Sequence, residues 1–119
     1  MPRFKDFEPK GVIPATLLAF NEDFSIDEAS TRKHTQDVSL VDGITAIAIN
    51  AHASEVHACA FDEQRRILDV TMEEIGDRLP VINGVYADGS QEAAKLARMA
   101  EAGGASCLLV LPPHSIGMF

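Results

Sequence analysis

The chain has 119 residues, of which 46% are hydrophobic, and a formal net charge of -8 at pH 7. This length and apolar content suit a single globular domain with a core of its own. The acidic balance argues against nucleic acids and anionic membranes as partners, because like charges repel.

The first third of the sequence predicts a lead-in, a strand and a helix. Residues 1–10 are charged and irregular, which indicates a surface lead-in, and the apolar run 12–20 predicts the first strand. Ser25 and Glu28 have the spacing of a capping box, so we expect a helix from there to about position 42. The following Gly43 is typical of a helix C-terminus. The expected apolar face of this helix consists of Ala29, Val38, Leu40 and Val41.

The rest of the chain alternates strands and helices. Residues 45–50, 80–85 and 105–111 are short apolar runs that predict three further strands. Residues 61–77 predict a helix, and 90–102 predict another that ends at a pair of glycines. The apolar residues of the first of these helices recur at helical spacing: Leu68, Met72, Ile75 and Leu79. The order βαβαβαβ predicts an α/β fold with parallel strands and right-handed crossovers.

The sequence ends just after the fourth predicted strand, and this leaves two architectures open. A closed (β/α)8 barrel needs roughly 250 residues. A doubly wound domain usually continues with another helix and strand. The pattern therefore predicts either a small four-stranded α/β domain or the N-terminal half of a barrel.

The segment 47–57 has the features of a strand that leads into a functional loop. An apolar run is followed within six residues by His52, Ser54, Glu55 and His57. In parallel α/β folds, ligands bind at the carboxyl ends of the strands, so we expect the site here.

Three other kinds of site have weaker support in the sequence. The spacing of His52, Glu55 and His57 matches no established zinc pattern, so no metal site is predicted. The glycines at 84 and 89 lack the lysine of a phosphate-binding loop. The apolar run 12–20 ends without the acidic residues that a phospho-receiver domain requires.

An ordered set of short motifs resembles the dihydrodipicolinate synthase / N-acetylneuraminate lyase family. The resemblance covers about residues 11–115, and the set as a whole is more specific than any one motif. Its pieces are Gly11-Val12-Ile13, Phe20-Asn21-Glu22-Asp23, Ile26-Asp27, Asp42-Gly43-Ile44-Thr45-Ala46-Ile47, Phe61-Asp62-Glu63-Gln64-Arg65, Gly76-Asp77-Arg78-Leu79-Pro80-Val81-Ile82-Asn83-Gly84-Val85, Ser90-Gln91-Glu92-Ala93, Ala102-Gly103-Gly104-Ala105 and Leu109-Val110-Leu111-Pro112-Pro113.

The resemblance implies a fold and a chemistry. The family folds as a (β/α)8 TIM barrel, so residues 11–119 would be its N-terminal half, truncated after the fourth strand. Family members are class I aldolases and lyases that form a Schiff base between a lysine and pyruvate or a related 2-oxo acid, without a metal or other cofactor. The family's lysine and catalytic tyrosine would lie beyond Phe119. We therefore expect the 119-residue chain alone to be inactive, and the whole protein to be a homo-oligomer.

The resemblance also assigns candidate substrate-binding residues. The family's glycine-threonine-threonine-glycine-glutamate loop falls on Ala51, His52, Ala53, Ser54 and Glu55. Backbone N–H groups of this loop hold the substrate carboxylate in the family, and backbone donors survive changes of side chain. Ala51 stands at a glycine position, where a positive φ would strain an alanine.

Several side chains complete the predicted site. Ala53 replaces the hydroxyl of the family's proton relay, and His52 could take over the proton transfer because imidazole titrates near neutral pH. His114 is the second catalytic candidate and Tyr86 a further substrate-binding one, since each follows a predicted strand. Glu55 is expected to support the loop by accepting its amides. In contrast, Asn50 and Asn83 are expected to tie loops together, and His34 to be a solvated helix residue.

A second hypothesis is a non-catalytic half-barrel that self-associates or binds a small carboxylate. Four parallel strands would leave two open edges and an uncovered apolar face.

The remaining features concern the environment of the protein. Cys59 and Cys107 lie in apolar surroundings, which predicts free buried thiols and fits a reducing cytoplasm. Neither a signal peptide nor a run of about 20 apolar residues is visible, so a soluble cytoplasmic protein is expected.

Overall fold

A computed structural model of the chain describes residues 2–113, in which helices and strands alternate. In chain order the elements are α1 (Glu28–Ser39), β1 (Ile47–Ile49), α2 (Phe61–Ile75), β2 (Val81–Val85), α3 (Ser90–Ala102) and β3 (Cys107–Val110). Two short 3-10 turns, His52–Ser54 and Val56–Ala58, join β1 to α2. The predicted α/β alternation is confirmed.

The three strands form one parallel sheet in the order β1-β2-β3. Ile47 of β1 pairs with Val81 of β2, and Ile82 of β2 pairs with Cys107 of β3. Since the strands follow one another in sequence and all run in one direction, their carboxyl ends lie along the same edge of the sheet. We call this edge the carboxyl edge.

The predicted first strand over 12–20 is wrong as a continuous strand. This segment runs beside β1 and forms only isolated bridges. Val12 with Ile44 and Ala15 with Ala48 are parallel, and Phe20 with Ile26 is antiparallel. Pro14 lies between the two parallel bridges, and its ring nitrogen cannot donate to a ladder. The segment therefore borders the sheet without extending it as a regular strand.

The main core lies between the sheet and the helices. Alternate strand residues, including Ile47, Ile49 and Val81, point toward α2 and α3 and are at most 1% exposed. The expected face of α2 is confirmed, because Leu68, Met72 and Ile75 are buried and Leu79 is half-buried. The opposite face of the sheet has a second, smaller cluster of Ala46, Ala48 and Ile82, against which Phe7, Ile13 and Cys107 pack.

Helix α1 begins two residues later than the capping-box pattern predicts. Its N-cap is Asp27, whose carboxylate accepts the backbone N–H of Ser30 at 3.1 Å. The Ser25 hydroxyl donates instead to Asp23, at 2.6 Å, within the preceding loop. A carboxylate N-cap satisfies the free N–H groups of the first turn, so Asp27 takes the position assigned to Ser25.

The apolar face predicted for α1 is wrong except at Val38, which is half-buried and packs against the main core. The buried residues of this helix are Thr31, Thr35 and Ser39, while Leu40 and Val41 are 71% and 58% exposed. The helix packs on α2 largely through polar contacts rather than through an apolar stripe. This explains why its hydrophobic pattern was thin, and why its C-terminus at Ser39 precedes Gly43.

Strand β3 is apolar but incompletely covered within the described chain. Leu108, Leu109 and Val110 are 39%, 40% and 68% exposed. Cys59 and Cys107 are free thiols, as expected, but both are half-exposed rather than buried. Within residues 2–113, no helix is long and apolar enough to span a membrane.

Candidate functional site

The end of β1 is held in place by Asn50. This residue is fully buried, and its φ of 52° is left-handed, a conformation that asparagine tolerates better than most residues. Its side-chain amide donates to the Gln64 carbonyl of α2 at 3.0 Å and to Asn83 Oδ1 of β2 at 2.8 Å. The expectation that Asn50 and Asn83 tie loops together is confirmed.

Gly84 lets the backbones of β1 and β2 approach closely at this point. A Cβ built on Gly84 would overlap the carbonyl oxygen of Asn50 and come within 3.2 Å of the Ala51 nitrogen. Only glycine leaves room for this contact. The loop that follows Asn50 can therefore take this position only because residue 84 has no side chain.

Ala51 carries no backbone strain. Its φ of -124° and ψ of -166° are ordinary extended values, so the strain expected for an alanine at a glycine position is absent. The left-handed residues are its neighbours Asn50 and Glu55, with φ of 52° and 56°. The chain thus makes its two sharp changes of direction on either side of the loop 51–54.

The loop 51–54 is closed by Ser54. The Ser54 hydroxyl lies 3.1 Å from both the backbone N and the carbonyl O of Ala51, accepting from one and donating to the other. The Ser54 N–H also donates to the Ala51 carbonyl, at 3.2 Å. Among residues 2–113, no acceptor is hydrogen-bonded to the N–H groups of His52 and Ala53. These two consecutive donors are available to a ligand.

The structure brings two of the predicted side chains together. The rings of His52 and Tyr86 meet edge to face, with centroids 6.2 Å apart and an angle of 72° between their planes. His52 is exposed and Tyr86 half-buried, so both can reach a ligand at the carboxyl edge. The other catalytic candidate, His114, lies outside the described residues.

Glu55 has a different local role from the one expected. Its backbone provides the left-handed turn between the two 3-10 segments. Its carboxylate accepts no loop amide, nor any other hydrogen bond from residues 2–113, and its side chain is exposed.

Burial raises the pKa of the nearby Cys59 thiol above its usual range, with smaller contributions from the charges of Glu63 and Glu55.

Two residues near the loop were missed by sequence reasoning. Gln64 is buried on α2, and both its Oε1 and the Oδ1 of Asn50 lack a hydrogen-bond partner among residues 2–113. The sequence feature that could have identified Gln64 is its position as a polar residue on the buried face of the amphipathic helix α2. Phe24 has a φ of 68° and lines a cavity of about 540 Å³ together with Phe20 and Glu55. No local pattern predicted that cavity, because the loops that form it are distant in sequence.

His34 is not simply solvated. Its Nε2 accepts the backbone N–H of Leu17 at 3.0 Å and thereby ties α1 to the segment that runs beside β1.

No group of three or more His, Cys, Asp or Glu side chains that could hold a metal ion occurs within the described part of the chain.

Comparison with known proteins decides the family. The sequence model of the Dihydrodipicolinate synthetase family matches residues 8–116. The chain belongs to this family. Its fold is accordingly a parallel α/β fold that corresponds to the N-terminal half of a (β/α)8 barrel, as the resemblance implied.

Curated relatives of this family match over most of the chain. A 4-hydroxy-tetrahydrodipicolinate synthase from Salinibacter ruber is 32% identical over 105 residues, which cover 88% of this chain and 34% of that protein. An uncharacterised DapA-like lyase from Rhizobium meliloti is 32% identical over 106 residues, covering 89% of this chain and 35% of that protein. The chain thus spans about a third of the length of the curated family members it matches.

Solved structures of family members share the fold. A putative dihydrodipicolinate synthetase from Pseudomonas aeruginosa superposes with a TM-score of 0.81 at 25% identity, over 88% of this chain and 36% of that one. A putative family protein from Coccidioides immitis gives a TM-score of 0.81 at 22% identity, over 87% and 34% of the two chains. The described residues thus have the fold of about a third of a complete family member.

Proposed function

We propose that this chain forms the carboxylate-binding half of a Schiff-base lyase of the dihydrodipicolinate synthase type, acting on pyruvate or a related 2-oxo acid. The observation that carries the proposal is the pair of unpaired N–H groups of His52 and Ala53 after β1. Consecutive backbone donors in a tight turn form a natural site for an anion. Their position at the carboxyl edge is where parallel α/β folds bind ligands.

The side chains around this pair divide the remaining roles. His52 is proposed to transfer a proton, and Tyr86 to contact the substrate from the end of β2, because their rings are in contact. Ser54 and Ala51 keep the turn closed, and Glu55 supports it through its backbone conformation. His114, proposed as the second proton carrier, follows β3 in sequence.

The Schiff-base lysine is proposed to lie outside this chain. Lys33 pairs with Asp37 on α1, and Lys95 lies over the ring of Phe61 on the helix side of the sheet. Lys5 and Lys10 precede the sheet. Since none of these amines lies at the carboxyl edge, the chain alone should form no stoichiometric adduct with pyruvate. A pyruvate adduct trapped by borohydride on one of them at stoichiometric level would contradict this part of the proposal.

The amide donors can be tested separately from the imidazole. His52 is the first residue of a 3-10 turn and follows an extended Ala51, so a proline fits there with little strain. His52→Pro removes the N–H, whereas His52→Ala removes only the imidazole. We expect pyruvate titration followed by NMR to show binding weakened by about fivefold or more in His52→Pro and retained in His52→Ala. Equal binding by wild type and His52→Pro would refute the carboxylate site.

A second candidate function is self-association of a non-catalytic half-barrel. It is favoured by the exposure of Leu108, Leu109 and Val110, which form an apolar strand at the edge of the described sheet. Edge strands with unpaired backbone groups tend to pair with another chain. A molar mass that rises with protein concentration would support this function, and a monomer at millimolar concentration would exclude it.

The remaining parts of the proposal concern organisation and surroundings. We propose that residues 1–10 are a lead-in and that 11–119 belong to the barrel domain. The whole protein is proposed to act in the cytoplasm as a homo-oligomer. We propose no nucleic-acid or membrane partner for it, in keeping with the charge of -8 of this chain.

A further inference from the structure

The groove between α2 and α3 has a net charge opposite in sign to that of the chain. It encloses about 440 Å³ on the helix side of the sheet, away from the loop 51–54. Arg65 and Asp69 line it from α2, and Lys95 and Arg98 from α3. Three positive charges against one negative charge give its lining a net charge of +2, in a chain whose net charge is -8.

The cations of this groove are incompletely neutralised. The side chains of Arg98 and Asp69 form no hydrogen bond or ion pair with any of residues 2–113. Arg65 has one loose partner, Asp62, at 3.7 Å, and both side chains are mostly exposed. Such a pair is weak and can be exchanged for a better acceptor. In contrast, the cations between α1 and α2 are held by carboxylates, as with Arg32 and Glu74 at 2.9 Å.

The floor of the groove is apolar. Phe61, Met99, Ala102 and Gly103 line it, and the Lys95 ammonium lies 4.2 Å from the centre of the Phe61 ring. Lys95 thus spans the groove from α3 to α2. The combination of an aromatic floor and a cationic rim suits a ligand with an apolar body and an anionic group.

We propose that this groove is a binding site for a small phosphate monoester with an apolar body. A phosphate monoester carries a charge of about -1.5 to -2 at pH 7, which matches the charge of the lining. Two guanidinium groups can each bind phosphate oxygens through paired N–H donors, and Lys95 supplies a third cation. The apolar body lies against Phe61 and Met99. This site lies outside the proposed 2-oxo acid site and does not depend on it.

The test uses phenyl phosphate as the probe and the 119-residue chain in NMR titrations. We expect the largest shifts at the amides around Arg65, Lys95 and Arg98, and tighter binding of phenyl phosphate than of inorganic phosphate. Lys95→Gln combined with Arg98→Gln should weaken binding by about fivefold or more, because two of three cations are lost. Lys33→Gln is the matched control, since it removes a cation from α1, and it should change affinity less than twofold.

Asp69→Asn should increase the affinity for phenyl phosphate, a result that a loss of folding could not produce. Removing the one carboxylate of the lining should tighten phenyl phosphate binding by about twofold to threefold. The proposal is overturned if shifts cluster at the carboxyl edge instead, if the double variant binds as the wild type does, or if Asp69→Asn leaves the affinity unchanged. Equal affinity for inorganic phosphate would overturn the role of the apolar floor. Pyruvate binding is measured on the same variants and should not change.

Discussion

At the scale of single residues, Asn50 joins three elements at the point where β1 ends. Its amide bonds to α2 and β2, and its left-handed backbone turns the chain into the loop 51–54. The substrate-binding geometry proposed for that loop therefore depends on a residue that is itself fully buried.

Replacing Asn50 separates its two contributions. Asn50→Ala leaves Asn83 Oδ1 and the Gln64 carbonyl buried with one donor fewer, so we expect a loss of about 2–4 kcal/mol in the free energy of unfolding. Asn50→Gly loses the same hydrogen bonds but adopts a positive φ freely, so it should be about 1 kcal/mol less destabilising. Urea unfolding followed by circular dichroism measures both, and equal losses would show that backbone strain is unimportant here.

Gly84 is the residue whose replacement should have the clearest steric effect. The Cβ of Gly84→Ala would overlap the Asn50 carbonyl, a buried backbone atom that cannot move independently. We expect a destabilisation of about 2–4 kcal/mol in urea unfolding. Gly89→Ala is the control, because its Cβ would meet nothing within 4 Å, and its effect should stay within about 1 kcal/mol. Comparable losses in both variants would mean that the close approach of β1 and β2 can relax.

At the scale of secondary-structure elements, α1 shows how a helix can pack with a single half-buried apolar residue, Val38, against the core. Arg32 reaches Glu73 at 2.7 Å and Glu74 at 2.9 Å on α2, and Arg66 of α2 reaches back to Glu28 at 2.6 Å. The buried side chains of α1 are small and polar. The contact between the two helices is therefore largely electrostatic and should be sensitive to pH and salt.

The start of α1 can be tested by two alanine substitutions. Asp27→Ala removes the carboxylate that accepts the Ser30 N–H, so the melting temperature should fall by roughly 3–6 °C. Ser25→Ala removes only a contact within the preceding loop and should change the melting temperature by less than half as much. A larger fall in melting temperature for Ser25→Ala than for Asp27→Ala would instead support the capping box predicted from Ser25 and Glu28.

The contact between α1 and α2 should weaken in acid. The hydrogen bond from Gln36, followed by that from Arg32, lowers the pKa of Glu74 from its ordinary value of 4.5. A lowered folded-state pKa stabilises the fold above the unfolded-state pKa, and this stabilisation is lost as the pH falls through the folded-state value.

Glu74→Gln measures that contribution directly. At pH 7 the variant should unfold at a urea concentration lower than the wild type by about 0.3 M, and the difference should shrink as the pH falls below 4.5, the ordinary pKa of a glutamate. Glu8→Gln is the control, since Glu8 is exposed and without a partner in the described residues, and its effect should be independent of pH. A difference between wild type and Glu74→Gln that persists unchanged at pH 3 would contradict the assignment.

At the scale of the whole molecule, the fold resembles part of a larger one. The chain spans about a third of the length of its matched relatives, while β3 exposes apolar side chains on its surface. Apolar surface of this kind favours association with another protein surface. The half-barrel candidate therefore makes a prediction about the state of the isolated chain in solution.

Two exposed valines allow a matched test of that association. Val110 on β3 and Val41 after α1 are 68% and 58% exposed, so a lysine at either site costs little burial. Val110→Lys should weaken self-association by at least about fivefold in sedimentation equilibrium, because a charge at a strand edge opposes pairing. Val41→Lys should leave it unchanged. Equal effects of both variants would place the contact elsewhere on the surface.

The sequence by itself determined the order and type of the elements from α1 onward, although not the segment 12–20, which forms no regular strand. The periodicity of α2, the short apolar runs of β1 and β2 and the glycines after α3 are local signals, because helix and strand patterns reflect burial repeated along a few turns or residues. The family motifs likewise located the loop 51–54 and its candidate residues. Local patterns failed at α1, where Asp27 competes with Ser25 as the N-cap and the packing face is polar.

Only the tertiary structure decided how the loop is held. That the Asn50 amide meets Gln64 and Asn83, that Gly84 makes room for the Asn50 carbonyl, and that His52 meets Tyr86 all depend on contacts across more than ten residues of chain. The same holds for the cationic groove, whose lining comes from two helices. Spacing along the sequence does not predict which of these distant residues come into contact. The register of the parallel strands and the packing of the helices fix the distances between them.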